Sequence, residues 1–317
     1  MDIFNNTEAY TPSLPLLMLH AVGLIVLSLL GIIGSLITVV VIVKSKSLHS
    51  PCFTLIAGGG VGSFLIALYF LSRGILNIGL QLGIIPYEIT GLTCVLTGVL
   101  AVVGVTFHAQ AASLIAIDRL ISVAAPIKYR SLGKKYSMRL LIGCSVYNTV
   151  QLAVAFGTAP LGSVVRCLGF TDGLNPVFMI AFGQLNLFYC LANVIAYIAM
   201  MLSFRFRHLF SSTSSNMQDS FMKQQLAVMP TVKLMMGLYL LTGVMAELLI
   251  NISLNLPHSE AGFFIITIGT IMKTASALVE VIALFARNKK FRECFRVLTK
   301  RQEKLVVSVI TLKPSQV

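Results

Sequence analysis

The sequence predicts an all-α membrane protein: a bundle of seven transmembrane helices with the N-terminus outside and a short amphipathic eighth helix. Three observations carry that expectation. Hydrophobic residues make up 56% of the 317 residues and charged residues only 11%, against roughly 25% charged in an ordinary soluble domain, so lipid must solvate most of the apolar surface. Seven apolar runs each approach the length of about 20 residues that a spanning helix requires. Nearly all Lys and Arg residues sit in alternate connecting segments.

Residues 1–15 form the expected exterior N-terminus. Met1 to Pro15 is polar and acidic, without the basic stretch ahead of a short apolar core that a cleaved leader has, so the first apolar run serves as helix one. The seven spans are expected at 16–43, 52–72, 94–117, 140–160, 176–203, 232–256 and 261–286, with a cytoplasmic tail over 287–317. Gly74 to Thr93 is apolar but holds Pro86, Glu88 and several glycines, and reads as a loop or an extended end of helix two. Of the 24 Lys and Arg, only Arg73 and Arg166 fall on the exterior side and Lys273 lies within helix seven. Positive residues remain cytoplasmic, which places the N-terminus outside and requires an odd number of helices. Asn5, in Asn5-Asn6-Thr7, is an exterior candidate for glycosylation.

The net charge of +13 does not point to nucleic acid, because long apolar runs separate the basic residues and no single basic face gathers them. The expected anionic partner is the inner surface of the lipid bilayer. Six cysteines without a CxxC pair or a His/Cys cluster argue against a metal site. There is no catalytic constellation, no cofactor is implied, and the absence of an internal repeat disfavours a transporter built from repeats.

At the inner end of helix three stands Ile117-Asp118-Arg119-Leu120, then Ile121-Ser122-Val123-Ala124-Ala125-Pro126-Ile127-Lys128-Tyr129. This resembles the Asp-Arg-Tyr signature, and the proline after it, of rhodopsin-like G-protein-coupled receptors. Cys94 lies 25 residues before Arg119, about seven helical turns, so the two mark opposite ends of one helix. Cys167 lies in the next exterior loop. In its wording the string from Asp118 to Tyr129 looks most like nematode chemosensory receptors of serpentine class sx.

The resemblance implies a plasma-membrane receptor that senses a small molecule or peptide from outside and transmits to a heterotrimeric G protein. It assigns Asp118, Arg119 and Pro126 to the activation switch, with Asp118 holding Arg119 at rest, and a disulfide to Cys94 and Cys167. Asn288-Lys289-Lys290-Phe291-Arg292-Glu293-Cys294-Phe295 is similar to the family's eighth helix, where a juxtamembrane cysteine such as Cys294 is a palmitoylation candidate. No acidic residue stands near the start of helix six, so the usual second restraint on Arg119 is missing and basal activity is expected.

Other positions depart from the family pattern. Ser63 stands in place of the helix-two aspartate, Ser35 in place of the helix-one asparagine, and Glu280-Val281-Ile282-Ala283-Leu284 in place of Asn-Pro-x-x-Tyr, and the chain has no tryptophan. His108, three turns above Arg119, lies near the depth of Ser63 and Glu280, so Ser35, Ser63, His108 and Glu280 form a candidate intramembrane polar cluster. Glu247 and Lys273 approach the expected ligand cavity, where they either pair or meet a polar ligand. Gln184, Asn186 and Asn193 on helix five and Ala101 and Val105 on helix three are further pocket candidates. Ala101 occupies the position of the aspartate in amine receptors, which disfavours an aminergic ligand.

Two other readings stay open. A transporter or channel would use Glu247, Lys273, Glu280 and His108 as an ion or proton path. An opsin would need a retinal-bearing lysine, but ungapped alignment of Asn288 to Arg292 puts Thr274, not Lys273, at that position.

Overall fold

The computed structural model describes residues 13–85, 88–159, 162, 164–166, 174–210, 230–231, 233–254, 256 and 259–311. Asn5 and Cys167 lie outside these residues. The chain runs through α1 (Leu14–Lys44), α2 (Pro51–Gln81), β1 (Glu88–Thr90), α3 (Gly91–Ala124), α4 (Pro126–Ser131), α5 (Lys134–Thr158), β2 (Val164–Arg166) and α6 (Pro176–Phe210). It continues through α7 (Lys233–Ser253) and then α8 (Glu260–Ser276), α9 (Val279–Arg287) and α10 (Lys289–Thr311). Helices α1, α2, α3, α5, α6 and α7 are each long and apolar enough to cross a membrane, and the bent pair α8 and α9 makes a seventh crossing.

Helix starts follow local capping chemistry. Ser50 accepts from the Phe53 amide at 3.5 Å ahead of Pro51, Thr90 accepts from Thr93 at 3.3 Å, and Ser259 accepts from Gly262 at 3.2 Å. Each cap satisfies an amide that the helix itself leaves without a partner.

The bundle is inverted relative to a soluble protein. On α1 the exposed face is Val22, Val26, Leu29, Ile33, Leu36, Val40 and Val43, whereas Ser28, Gly31, Ser35 and Thr38 are buried. Lipid is as apolar as leucine, so helices associate through small residues that allow close approach. A side chain at Gly62 would lie 2.8 Å from the His108 amide, one at Gly104 would lie 2.9 Å from the Ile66 amide, and Gly31 faces Ala67 and Ala277. These glycines draw α2 against α3 and α1 against α2 and the α8–α9 crossing.

The stretch after Arg73 stays helical: α2 continues to Gln81. Arg73 is thereby drawn out of the exterior loop and into the bundle, buried, with Nε donating to the Tyr69 hydroxyl at 3.2 Å. The remainder of that stretch forms a strand, since β1 pairs antiparallel with β2, Glu88 opposite Arg166 and Thr90 opposite Val164. This strand pair sets Val164–Arg166 beside the segment that leads into α3. The bundle is otherwise helical among the described residues.

Two helices of the bundle are interrupted without proline. Between α8 and α9 the chain bends by 47°. Ser276 Oγ donates to the Lys273 carbonyl at 2.6 Å, the acceptor that the Ala277 amide would use in a regular helix, and Ala277 bonds to Thr274 instead. A side chain entering the backbone ladder is an established cause of a kink. In α7, Leu240–Val244 is a π-helical turn, a distortion frequent at functional sites.

The eighth helix is longer than the short segment anticipated, running 23 residues from Lys289. Asn288 Oδ1 caps it by accepting from Phe291 at 3.0 Å, and fully buried Phe291 packs edge-on to Phe285 against Leu48, Leu55 and Leu284. Cys294 is half-buried in this cluster, its Sγ 3.3 Å from Ser47 Oγ.

Close helix approach at Gly62 and Gly104 makes both positions intolerant of volume. Gly62→Ala and Gly104→Ala are each expected to cost about 1–3 kcal/mol through overpacking, seen as a lower thermal midpoint of the detergent-purified protein. Gly143→Ala, where a side chain meets nothing, should be neutral; equal midpoints for all three would refute the packing.

Candidate functional site

Buried polar groups are expensive in a bilayer and mark functional positions. In this bundle they form three tiers along its axis. The outer tier is an ion pair: Lys273 on α8 donates to the Glu247 carboxylate on α7, both residues being buried. Glu247 stands one turn after the π-helical turn, and Lys273 one turn before the bend.

Helix α6 places a third buried polar group at the depth of this tier. A side chain at Gly183 would meet Asn251 Oδ1, and Cys190 packs with Val244 and Tyr239, so α6 and α7 run antiparallel in a fixed register. One turn inward from Gly183 is Asn186, and one turn inward from Asn251 is Glu247. Asn186 is 1% exposed; its Nδ2 donates to the Phe182 carbonyl at 2.9 Å, and its Oδ1 has no partner among the described residues. Asn193 is buried on the same face.

Gln184 does not join them. Two residues from Asn186 is about 200° around a helix, and Gln184 is exposed on the lipid side. Ala101 and Val105 are buried within an apolar cluster with Leu24, Ile66 and Phe182, so they pack the core beside the polar tier and do not line a polar wall.

The middle tier joins α2, α3 and α9. Ser63 Oγ donates to Glu280 Oε2 at 3.2 Å and shares a 3.0 Å hydrogen bond with His108 Nδ1, which lies 3.8 Å from Glu280 Oε1. A hydroxyl has one proton to give, so with Ser63 donating to the carboxylate, His108 donates into Ser63. The Glu280 carboxylate occupies the space that a side chain at Gly59 would need. Ser35 is buried too, but its hydroxyl makes no hydrogen bond among the described residues and stays outside this cluster. Tyr239 connects the upper tiers, its ring centroid 6.3 Å from that of His108 and its hydroxyl 3.5 Å from Cys190 Sγ.

The inner tier lies at the basic end. Asp118 Oδ2 accepts from Arg119 Nη2 at 2.5 Å and from Nε at 3.1 Å. Tyr129, on the short loop helix α4, completes the group: its hydroxyl donates to Asp118 Oδ2 at 3.1 Å and accepts from Arg119 Nη2 at 2.7 Å. Burial pushes the Tyr129 hydroxyl above its ordinary pKa, which keeps the proton that it donates. Pro126 stands at the first position of α4, the short helix that carries Tyr129.

A side network braces α3. Asn148 Nδ2 donates to Gln110 Oε1 at 2.8 Å, Gln110 Nε2 donates to the Tyr189 hydroxyl at 3.2 Å, and Ser113 donates to the Tyr189 carbonyl at 3.2 Å.

Over residues 28–299 the chain matches the family described as serpentine type 7TM GPCR chemoreceptor Srsx. The protein belongs to the Srsx family. No curated protein matches it. The seven-crossing bundle is thus that of a chemosensory G-protein-coupled receptor, and no observation favours the transporter reading.

Sequence reasoning about this Srsx receptor missed Tyr129, Arg73 and the Gln110–Asn148 pair. Tyr129 stands in the same string as Asp118 and Arg119, and its eleven-residue separation from Asp118 could have flagged it only if α4 had been recognised as a turn back toward α3. Cys94 is fully buried at the start of α3 and is not among the free cysteines of the described residues, which are Cys52, Cys144, Cys190 and Cys294.

Breaking one member of the outer ion pair strands the other. Lys273→Met is expected to destabilise the protein by about 3–5 kcal/mol, with much of the loss recovered in Lys273→Met/Glu247→Gln. Unfolding of the purified variants in detergent measures this, and a single variant as stable as wild type would show that the pair carries no such coupling.

Proposed function

We propose that this chain is a rhodopsin-like receptor of the plasma membrane with its basic end in the cytoplasm. It binds a small molecule or peptide from outside, in the upper bundle between α6, α7 and α8. It transmits to a heterotrimeric G protein at the face around Arg119. The observation that carries this reading is the hydrogen-bonded group of buried Asp118 with half-buried Arg119 and Tyr129, a guanidinium held closed at the inner end of α3. The interval from Cys94 to Arg119 and the position of β2 ahead of Cys167 support a Cys94–Cys167 bridge at the outer end of the same helix.

The mechanism follows from where the tiers sit. A ligand can shift a two-state equilibrium only by its differential affinity for the two states. The Glu247–Lys273 pair lies between two interrupted helices, so a ligand that alters it changes how α7 sits against α8. Tyr239 on α7 and Glu280 on α9 carry that change to the middle tier, and α3, which holds His108 as well as Arg119, carries it inward. Activation frees the Arg119 guanidinium from Asp118 and Tyr129. Among the described residues both restraints come from α3 and the loop helix beside it and none from α7, a helix-six end without a latch, from which basal signalling follows.

The test is nucleotide exchange on a panel of G proteins in cells expressing the chain, with ionic current recorded in parallel. Arg119→Ala should abolish basal exchange, and Tyr129→Phe should raise it by about tenfold or more, the effect of losing its two hydrogen bonds to the charged pair. Exchange indifferent to Arg119→Ala, or a current that follows Lys273, would overturn the receptor reading.

A further inference from the structure

We propose that the outer tier recognises a small zwitterion, a molecule bearing one ammonium and one carboxylate on a short carbon frame, of which a free α-amino acid is the simplest class. The inference deepens the receptor reading and rests on it. Its basis is the charge and hydrogen-bond inventory of three buried side chains from three helices: Glu247 on α7, Lys273 on α8 and Asn186 on α6.

The first argument is electrical. Glu247 and Lys273 neutralise each other in a site where both side chains are buried. A ligand of single charge that enters between them satisfies one and strands the other, and a stranded buried ion is severely penalised. A zwitterion gives each ion a new partner: its ammonium meets Glu247, its carboxylate meets Lys273, and the site remains neutral.

The second argument is the donor and acceptor count. Asn186 gives one N–H of its Nδ2 to the Phe182 carbonyl and presents a buried Oδ1 without a partner among the described residues, at the depth of Glu247. A buried acceptor left unsatisfied in the unliganded protein calls for a donor. An ammonium has three N–H groups where Glu247 alone needs one or two, so the same ligand group serves Glu247 and Asn186 together. The tier thus offers two acceptors on one side and a three-proton donor on the other, the complement of an ammonium and a carboxylate a few bonds apart. A neutral apolar ligand would leave Asn186 Oδ1 as it stands and give the pair no reason to part.

The position of the pair explains how such a ligand would act. Glu247 follows the π-helical turn and Lys273 precedes the bend at Ser276, so exchanging their mutual contact for two contacts to a ligand lengthens the link between the two helices already interrupted there.

The experiment uses the full receptor in lipid nanodiscs, with thermal midpoint as the binding readout, and the same chain in cells for G-protein output. The probes are the free α-amino acids and, for each, the amine lacking the carboxylate and the acid lacking the amine. At least one amino acid should raise the midpoint and change the output, with its amine and acid counterparts on the order of 100-fold weaker. Asn186→Ala leaves the ion pair in place and should weaken that amino acid about tenfold while hardly changing the unliganded midpoint. Glu247→Lys/Lys273→Glu restores a pair of reversed polarity, and it should fold with a near wild-type midpoint yet lose the response, because Asn186 Oδ1 now faces the ligand carboxylate. An amine or acid counterpart as potent as its parent overturns the inference, as does an unchanged response in the reversed double variant. If no amino acid acts on a receptor whose basal output still depends on Arg119, the zwitterion inference fails and the receptor reading stands. If the basal output is indifferent to Arg119→Ala, the receptor reading itself fails.

Discussion

The carboxylate of Glu280 has to be accommodated inside a lipid-solvated bundle, and the way it is accommodated organises the helices around it. An ionisable group at that depth must turn inward and find partners. Glu280 does so by occupying the notch that Gly59 leaves on α2 and accepting from Ser63, which is itself bonded to His108 on α3. One side chain therefore joins three helices that apolar contact alone would leave free to slide, since lipid tails solvate leucine as well as another helix does. The contact sits just below the bend between α8 and α9, where Ser276 has taken over the Lys273 carbonyl. The polar middle tier and the break in helix seven are consequently two aspects of one arrangement.

The same constraint recurs above and below. Glu247 and Lys273 solve it by pairing across α7 and α8, and Arg119 solves it with Asp118 and the Tyr129 hydroxyl. Each tier spans at least two elements, and α3 or its neighbours pass through all of them, so the polar groups form a connected axis through an otherwise apolar bundle. This Srsx receptor, without the helix-two aspartate, helix-seven motif and tryptophan of rhodopsin-like receptors, still has charged and hydroxyl groups buried in its bundle. The chemistry is supplied by other residues, with Glu280 on helix seven reaching Ser63 on helix two.

Several of these features were legible in the chain itself. Ser63, His108 and Glu280 share a depth that helical rise alone predicts, and the structure brings them within hydrogen-bonding distance. Gln184 shows the limit of that reasoning. Depth is countable from sequence, but in a helix apolar all round the facing direction is not marked by any polar stripe, and Gln184 proved to be on the exposed side while Asn186 points inward. For the stretch after Arg73 the sequence leaves a loop and an extended end of helix two both open, because apolar residues run on into a glycine-rich segment, and only the packing of α2 against its neighbours decides for a helix to Gln81.

Sequence alone determined that this chain lives in a membrane, how many times it crosses, and which end is basic, because hydropathy and charge placement are sums over local composition that no folding can alter. It also located the ionisable residues at their depths. Tertiary structure decided their partnerships: Tyr129 with Arg119, Gly59 yielding to Glu280, Asn186 in register with Glu247. Those depend on helix rotation and on the path of loops such as α4, which are set by close contacts between glycines and side chains far apart in the chain and leave no periodic trace in it.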